Sequence, residues 1–268
     1  CGADPLGPEN VLVFAAGPLT GVPVAGAGRN SVGAKSPLTN GYGDSEAGGF
    51  FGAELKHAGF DAIVVKGKSE KPVYLSIKDG AAELRNAAHL VGKTTLEVEQ
   101  IIKTELGDKL VRVCQCGPAG ENLVKYACVV NDLTHFAGRT GMGAVMGSKN
   151  LRAVVARGKA RVPLKDKDKV GELARWMVGH AKTAVPVFTD SGTAGVSVIP
   201  LNAAGGLPTR NFQEGVFEGA EAISGQTMRD TILVGRETCY ACPIRCKRVV
   251  RAEKPYKVDP KLGGPEYE

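Results

Sequence analysis

The residues with the plainest chemical potential are three thiols in the run Cys239-Tyr-Ala-Cys242-Pro-Ile-Arg-Cys246, a C-x2-C-x3-C spacing. Loops of two and three residues let neighbouring sulfurs reach different iron corners of one polynuclear centre, as cysteine-ligated iron–sulfur sites require. Pro243 stiffens the run, and Arg236, Arg245, Lys247, Arg248 and Arg251 surround it, cations that would offset the negative charge of thiolates and sulfides. Two other readings of the same residues stay open. A structural zinc site also accepts closely spaced Cys but needs a fourth ligand, and His57, His89, His135 and His180 all lie upstream. Inert thiols need no partner. Cys114 and Cys116 alternate along a strand-like run and Cys128 lies in another apolar run, so these three are expected as buried structural thiols rather than ligands.

Two glycine-rich segments bring backbone close to something large. Gly26 to Gly52 is too long for an ordinary hairpin and too rich in Gly to pack through side chains, so it is expected as a long functional loop. In Ala137 to Gly147, AGRTGMGAVMG, clustered Gly lets main-chain N–H groups surround phosphate or heterocycle oxygens, with Arg139 as a fork-shaped donor. Gly138, Gly141, Gly143 and Gly147 do not give G-x-G-x-x-G, and no strand followed by an acidic residue about 20 positions on completes a dinucleotide fingerprint. Plain structural turns are the alternative to an anionic or polar ligand.

The elements that must position these groups read as α+β. Short apolar runs between Gly-rich turns predict strands at Val11 to Ala16, Ala62 to Lys66, Val73 to Ile77, Leu110 to Cys114 and Leu151 to Ala156. One helix interrupts them: Thr94 caps it, Glu97 reaches back, Leu96, Ile101, Ile102 and Leu106 lie near one face, and Gly107 stops it. The KGKSEKP spacing between two strand runs predicts an antiparallel hairpin. After Gly158 the run KARVPLKDKDK reads as a solvated linker. Val170, Leu173, Trp176 and Met177 then have helical spacing, and a further helix is expected over Ile223 to Leu233, running into the Cys cluster. The expected organisation is therefore a β-rich domain over residues 1–158 and the start of a helical domain over 159–268.

Length and composition bound the function. The 268 residues, with 36 Gly, 15 Pro and 43% apolar side chains, are globular and fill one large or two ordinary domains. A net charge of +6, dispersed along the chain, is too small for a nucleic-acid footprint, so no nucleic-acid partner is expected and an anionic cofactor or small substrate fits better. No apolar run approaches the length of a membrane span, and the start has no export signal, which predicts a soluble, cytoplasmic protein. An odd count of seven Cys with three inside eight residues suits a reducing compartment. Opening at Cys1 and ending on GGPEYE, the sequence reads as part of a longer polypeptide.

Several motifs in order carry a family resemblance: GPLTG (Gly17 to Gly21), GRNSVGAKSPLT (Gly28 to Thr39), AGGFFGAELKHAGFDAIVVKG (Ala47 to Gly67), GPAGENLVKYACVVND (Gly117 to Asp132), AGRTGMGAVMGSKNLRAV (Ala137 to Val154), and CYACPIRC followed by GGPEYE. Together they resemble the tungsten-dependent aldehyde:ferredoxin oxidoreductases along the whole chain. The resemblance implies a first domain of two mainly antiparallel β-sheets forming a base for a metal, tungsten or alternatively molybdenum, bound by two pyranopterins, with helical domains closing over it. It implies that the extreme N-terminus, much of the second domain and all of the third are missing here, so that the segment alone is inactive. Arg29 matches the Arg between pterin and cluster, with Asn30 beside it. Glu46, Ala47, Gly48 and Gly49, with Arg139, Thr140 and Gly141, match the loops that hold the pterins and the Mg2+ bridging their phosphates. Family members more often carry Asn at the position of Glu46 and a small residue at that of Thr140.

Cys239, Cys242 and Cys246 match three of four [4Fe-4S] ligands. Glu266, with Glu268 as second choice, matches the carboxylate near the metal, and a solvated acidic turn is the plain alternative. The implied activity is oxidation of an aldehyde to a carboxylic acid, with electrons passed to ferredoxin or an electron-transfer subunit by a full-length homodimer or hetero-oligomer. A benzoyl-CoA reductase-type subunit of the same family is the second reading, and an iron–sulfur carrier or scaffold without pterin the third.

Overall fold

The computed structural model describes residues 2–265. They form two compact units, residues up to 167 together with 239–241, and residues 168–238 together with those from 242 onward.

The first unit is built on two sheets. Strands β1 (Leu12–Ala16), β2 (Asn30–Lys35), β3 (Tyr42–Ala47) and β4 (Ala62–Val65) form one, in the order β3-β2-β1-β4, antiparallel throughout. Strands β5 (Val73–Lys78), β6 (Ala81–Asn86), β7 (Arg112–Cys116), β8 (Val129–Asn131), β9 (His135–Ala137) and β10 (Leu151–Arg157) form the other, in the order β6-β5-β10-β7-β8-β9. Its only parallel pair among the described residues is β5 with β10. The expected α+β class with mainly antiparallel sheets is what the chain adopts. The KGKSEKP hairpin does not form, because β4 pairs with β1 in one sheet while β5 pairs with β6 and β10 in the other. Seven residues suffice for the chain to cross between sheets, and burial of both strands against the shared interior decides the pairing.

Two short helices fill that interior, α1 (Phe51–His57) and, in chain order after α2 (Thr95–Glu105) and α3 (Pro118–Glu121), α4 (Met142–Ser148). Phe14, Val32, Phe51, Leu55, Cys114, Cys116, Met142, Val145, Met146 and Val154 make one core cluster there. On the far face of the six-stranded sheet, Tyr74, Val113, Ala153 and Val155 meet Val98 and Ile102 of α2. Successive residues of β10 thus serve two cores, which explains why six of its seven residues are buried. Cys114 and Cys116 lie together in the first core as expected, where burial pushes the Cys116 thiol up to about 12 and that of Cys114 well above its usual value.

The long Gly26 to Gly52 loop is a correction. Its sequence holds β2, β3 and the start of α1, and only residues 36–41 turn between the strands. Tyr42, Asp44 and Glu46 point to solvent while Gly43, Ser45 and Ala47 are buried, a strict period of two that the scarcity of β-branched residues hides.

The second unit contains α5 (Lys167–Ala184, beginning at the last residue of the first unit), α6 (Pro186–Ala203), α7 (Gly225–Thr231) and the hairpin β11 (Leu233–Glu237) with β12 (Lys247–Val250). The helix expected over Ile223 to Leu233 is shorter, and β11 separates it from the Cys run. α6 is missing from the sequence reading because it bends at Gly192 (φ 64°) and carries Pro200 inside.

The capping box of α2 forms as its sequence dictates, with the Glu97 amide donating to Thr94 Oγ1 and the Thr94 amide donating to Glu97 Oε2 at 2.8 Å. Replacing Thr94 with Ala is expected to cost about 1 kcal/mol of unfolding free energy, measured by urea denaturation.

Candidate functional site

The end of β3 is where the expected site residues gather. Glu46 closes the exposed row of β3, and its Oε2 accepts from Nε of Arg29 at 2.9 Å, with both side chains more than half exposed. An ion pair this exposed contributes about 0–1 kcal/mol, so Arg29 is anchored lightly and keeps donors for another acceptor. On the same strand the buried hydroxyl of Ser45 accepts from the main-chain N–H of Arg139 at 3.0 Å. The Thr140 hydroxyl lies 3.4 Å from Asp44 O while donating to Arg139 O at 2.7 Å, and Ser36 donates to Thr140 O at 2.7 Å. Gly141 (φ 76°) then turns the chain into α4. The two glycine-rich segments, nearly 100 residues apart in sequence, therefore meet along one edge.

Beyond Ala47 the chain runs Gly48-Gly49 beneath a set of buried polar groups. Asn131 Nδ2 donates to Asn30 Oδ1 at 2.7 Å and to Gly48 O at 3.0 Å. Asn30 Nδ2 and Asn131 Oδ1, also buried, find no partner among the described residues. Cys239 Sγ packs directly over Gly48: a Cβ at position 48 would lie 2.6 Å from that sulfur and 3.2 Å from Cδ2 of His135. His135 Nε2 is 3.5 Å from Cys239 Sγ, and its Nδ1 is 3.0 Å from Thr134 Oγ1. The next residue fixes the segment, since Tyr240 N donates to Gly49 O at 3.0 Å and its ring stands edge-on to Phe50 and His57.

Cys239 thus belongs to the first unit and Cys242 and Cys246 to the second. Within the run Ala241 (φ 54°) and Arg245 (φ 55°) adopt left-handed backbone, a conformation that costs non-glycine residues about 1–2 kcal/mol each and winds the loop tightly. Thr238 Oγ1 donates to Cys242 O at 2.5 Å. Of the flanking cations, Arg236 is engaged by Asp190 at 3.2 Å, Arg245 donates to Arg236 O at 2.8 Å, and the buried Arg248 donates to Cys246 O. They brace the loop as well as carry charge.

Among the described residues no three His, Cys, Asp or Glu side chains converge as a single metal ion demands. A cubane takes one thiolate per iron at separate corners and makes no such demand. Within the first unit, the Cys239 thiol on a main-chain cradle at Gly48 that admits no Cβ is a donor of the kind such a centre takes. Glu266 and Glu268 lie outside the described residues.

Sequence reasoning missed His135, set aside as too far upstream. It reaches Cys239 across 104 residues through strand pairing, and only its place directly after Asp132-Leu133-Thr134 marked it locally. Asp132 was missed as well. Its carboxylate accepts from the amides of Phe50 and Val113, and burial, partly offset by Arg112, pushes its pKa up to about 6.

The matching family models describe the aldehyde ferredoxin oxidoreductase N-terminal domain, over residues 1–158, and domains 2 and 3, over residues 171–268. The chain belongs to the aldehyde ferredoxin oxidoreductase family. It is similar to the tungsten-containing aldehyde ferredoxin oxidoreductases of Thermococcus kodakarensis, 48% identical over 99% of this chain and 44% of that protein, and of Pyrococcus furiosus, 47% identical with the same coverage. Among solved structures it resembles the active-site complex BamBC of benzoyl coenzyme A reductase with 1,5-dienoyl-CoA, with a TM-score of 0.76 and 33% identity over 94% of this chain and 40% of that one. The chain spans less than half the length of these relatives. No helix among the described residues is long and apolar enough to cross a membrane.

Two outcomes are expected from this geometry. Gly48→Ala should displace Cys239 and cost about 1–3 kcal/mol in denaturant unfolding. The folded pKa of Asp132 lies above the ~3.9 of an unfolded chain, so its stability contribution is complete below about pH 4 and is lost as pH rises through about 6. Asp132→Asn should therefore flatten the pH dependence of unfolding free energy across that window, by about 2–3 kcal/mol in total.

Proposed function

We propose that the protein carrying this chain oxidises an aldehyde to a carboxylic acid and passes the electrons to ferredoxin or an electron-transfer subunit. The reading rests on a tungsten or molybdenum centre held by two pyranopterins and on a [4Fe-4S] cluster. The observation that carries it is the seating of Cys239 on the Gly48 main chain, just past the end of the β2–β3 hairpin where Arg29 pairs with Glu46. When bound, the pterin-held metal would supply two-electron redox chemistry and the cluster one-electron chemistry.

This chain's own groups bind and orient. Arg29, held at Nε by Glu46, would offer its remaining N–H groups to the pterin, a planar donor role that Lys cannot copy. Ser45 fixes the Arg139 amide, which aims the Arg139 to Gly141 turn beside Glu46 to Gly49. Main-chain carbonyls of these two segments would suit a Mg2+ accompanying the pterins, because a hard cation takes oxygen ligands without needing particular side chains. That tolerance accommodates Glu46 and Thr140, which depart from the usual residues. Asn30 keeps its buried amide beneath the loop. Cys239, Cys242 and Cys246 supply three cluster thiolates, and Glu266, then Glu268, the proton-accepting carboxylate, whose contribution as a general base is about 10²–10⁴-fold.

Beside Tyr240 a cleft of about 410 Å³ gathers Arg112, Lys159 and Arg161, with Arg157 held by Glu54 and Asp108. Its positive charge favours an acidic electron carrier. The benzoyl-CoA reductase-type reading keeps the support of the fold, but its 33% identity stands against 48% for the aldehyde enzymes.

Metal analysis and a ligand variant of the intact holoenzyme test the reading together. Stoichiometric tungsten or molybdenum with four irons is expected, and Cys242→Ala should abolish the broad visible absorption of the cluster. Iron and sulfide without tungsten or molybdenum would support a carrier, and an unchanged spectrum in the variant would remove Cys242 from the ligand set.

A further inference from the structure

His135 is a buried polar group that the proposed function leaves unused. It opens β9, is 9% exposed, and lies against the Gly48-Gly49 main chain. A Cβ on Gly49 would come within 3.2 Å of its Nδ1, just as one on Gly48 would come within 3.2 Å of its Cδ2. The ring is therefore held in one plane by backbone that carries no side chains.

Its two nitrogens have different partners. Nδ1 faces Thr134 Oγ1 at 3.0 Å and Nε2 faces Cys239 Sγ at 3.5 Å. A neutral imidazole carries one N–H. If the threonine hydroxyl donates to Nδ1, the ring proton resides on Nε2 and points at sulfur. A neutral thiol would equally allow the reverse, with Nδ1–H donating to Thr134 Oγ1 and that hydroxyl to Asp132 O at 3.4 Å, but a ligating thiolate cannot donate and so selects Nε2–H.

We propose that His135 is a positioning residue for the Cys239 ligand: its Nε2–H donates to the thiolate sulfur, fixes the side-chain rotamer of Cys239, and favours the reduced, more negative state of the cluster bound there. The physical basis is that a hydrogen bond to a ligating sulfur withdraws electron density and stabilises added negative charge, one of the protein's means of setting a cluster's potential. Thr134 acts one step further out by donating its hydroxyl to Nδ1 of that tautomer. The inference rests on the cluster reading of Cys239 and adds to it a residue 104 positions upstream.

The test is a redox titration of the intact holoenzyme, with the reduced cluster followed by electron paramagnetic resonance and iron counted in each sample. In His135→Leu, which keeps bulk and removes the donor, the ratio of reduced to oxidised cluster at the wild-type midpoint is expected to fall about ten-fold, the scale of one hydrogen bond to a charged group. His135→Gln, whose amide N–H reaches the same place, should restore most of it. Thr134→Val should move the midpoint in the same direction by less, and it keeps the question answerable where His135→Leu does not fold. A full complement of iron with an unchanged midpoint in both His135→Leu and Thr134→Val would overturn the proposal while leaving the cluster intact. Wild-type protein with no iron would instead overturn the cluster reading. Stoichiometric zinc that disappears in both His135 variants would make His135 a ligand and overturn both.

Discussion

A methyl group at position 48 and the sulfur of Cys239 cannot occupy the same space, and the architecture around the site follows from that single exclusion. Where a side chain is absent, the main chain of one sheet's hairpin can lie flush against a thiol that arrives from nearly 200 residues away. A Cβ on either Gly48 or Gly49 would meet the His135 ring, while Asn131 donates to Gly48 O and the Tyr240 amide to Gly49 O. Close packing of this kind transmits displacement, because an interior at crystal-like density has no slack to absorb it.

The ionic groups divide by burial into two classes with different work. Arg152 with Glu121 and Arg157 with Glu54 sit with little exposure inside the first unit. Breaking the Arg152 pair costs about 3–5 kcal/mol, because the guanidinium stays buried, whereas Arg157 keeps Asp108 as a second partner. Arg29 with Glu46 is the opposite case, more than half exposed and worth little to folding. A charged pair that the fold does not need, set at the end of a strand beside a glycine turn, is available to a ligand at small cost to stability.

How much of this the sequence discloses depends on the range of each interaction. The α2 capping box is legible because Thr94 and Glu97 are three residues apart and meet in any helix that starts there. The C-x2-C-x3-C run is legible for the same reason. The β2–β3 hairpin was harder: Asp44 and Glu46 alternate with Gly43, Ser45 and Ala47, but residues poor in strand propensity conceal a pattern that burial on one face enforces. The strand pair expected across KGKSEKP failed because period-two patterning tells that a segment is a strand, not which neighbour it takes. The bent helix α6 was hidden by Gly192 and Pro200, whose local preference is against helix and which packing overrides.

By itself the sequence determined which groups are present and how neighbours along the chain must behave: three thiols in a C-x2-C-x3-C run, glycine where backbone must come close, a capped helix, and motifs shared with a family of oxidoreductases. Only the tertiary structure decided which distant groups meet. It set Arg139 against Ser45, Asn131 beneath Gly48, and His135 against Cys239, because these contacts follow from how strands order themselves within two sheets and how α1 and α4 bury between them. That ordering is settled by the free energy of the whole core, a sum over many side chains that no local window of residues contains.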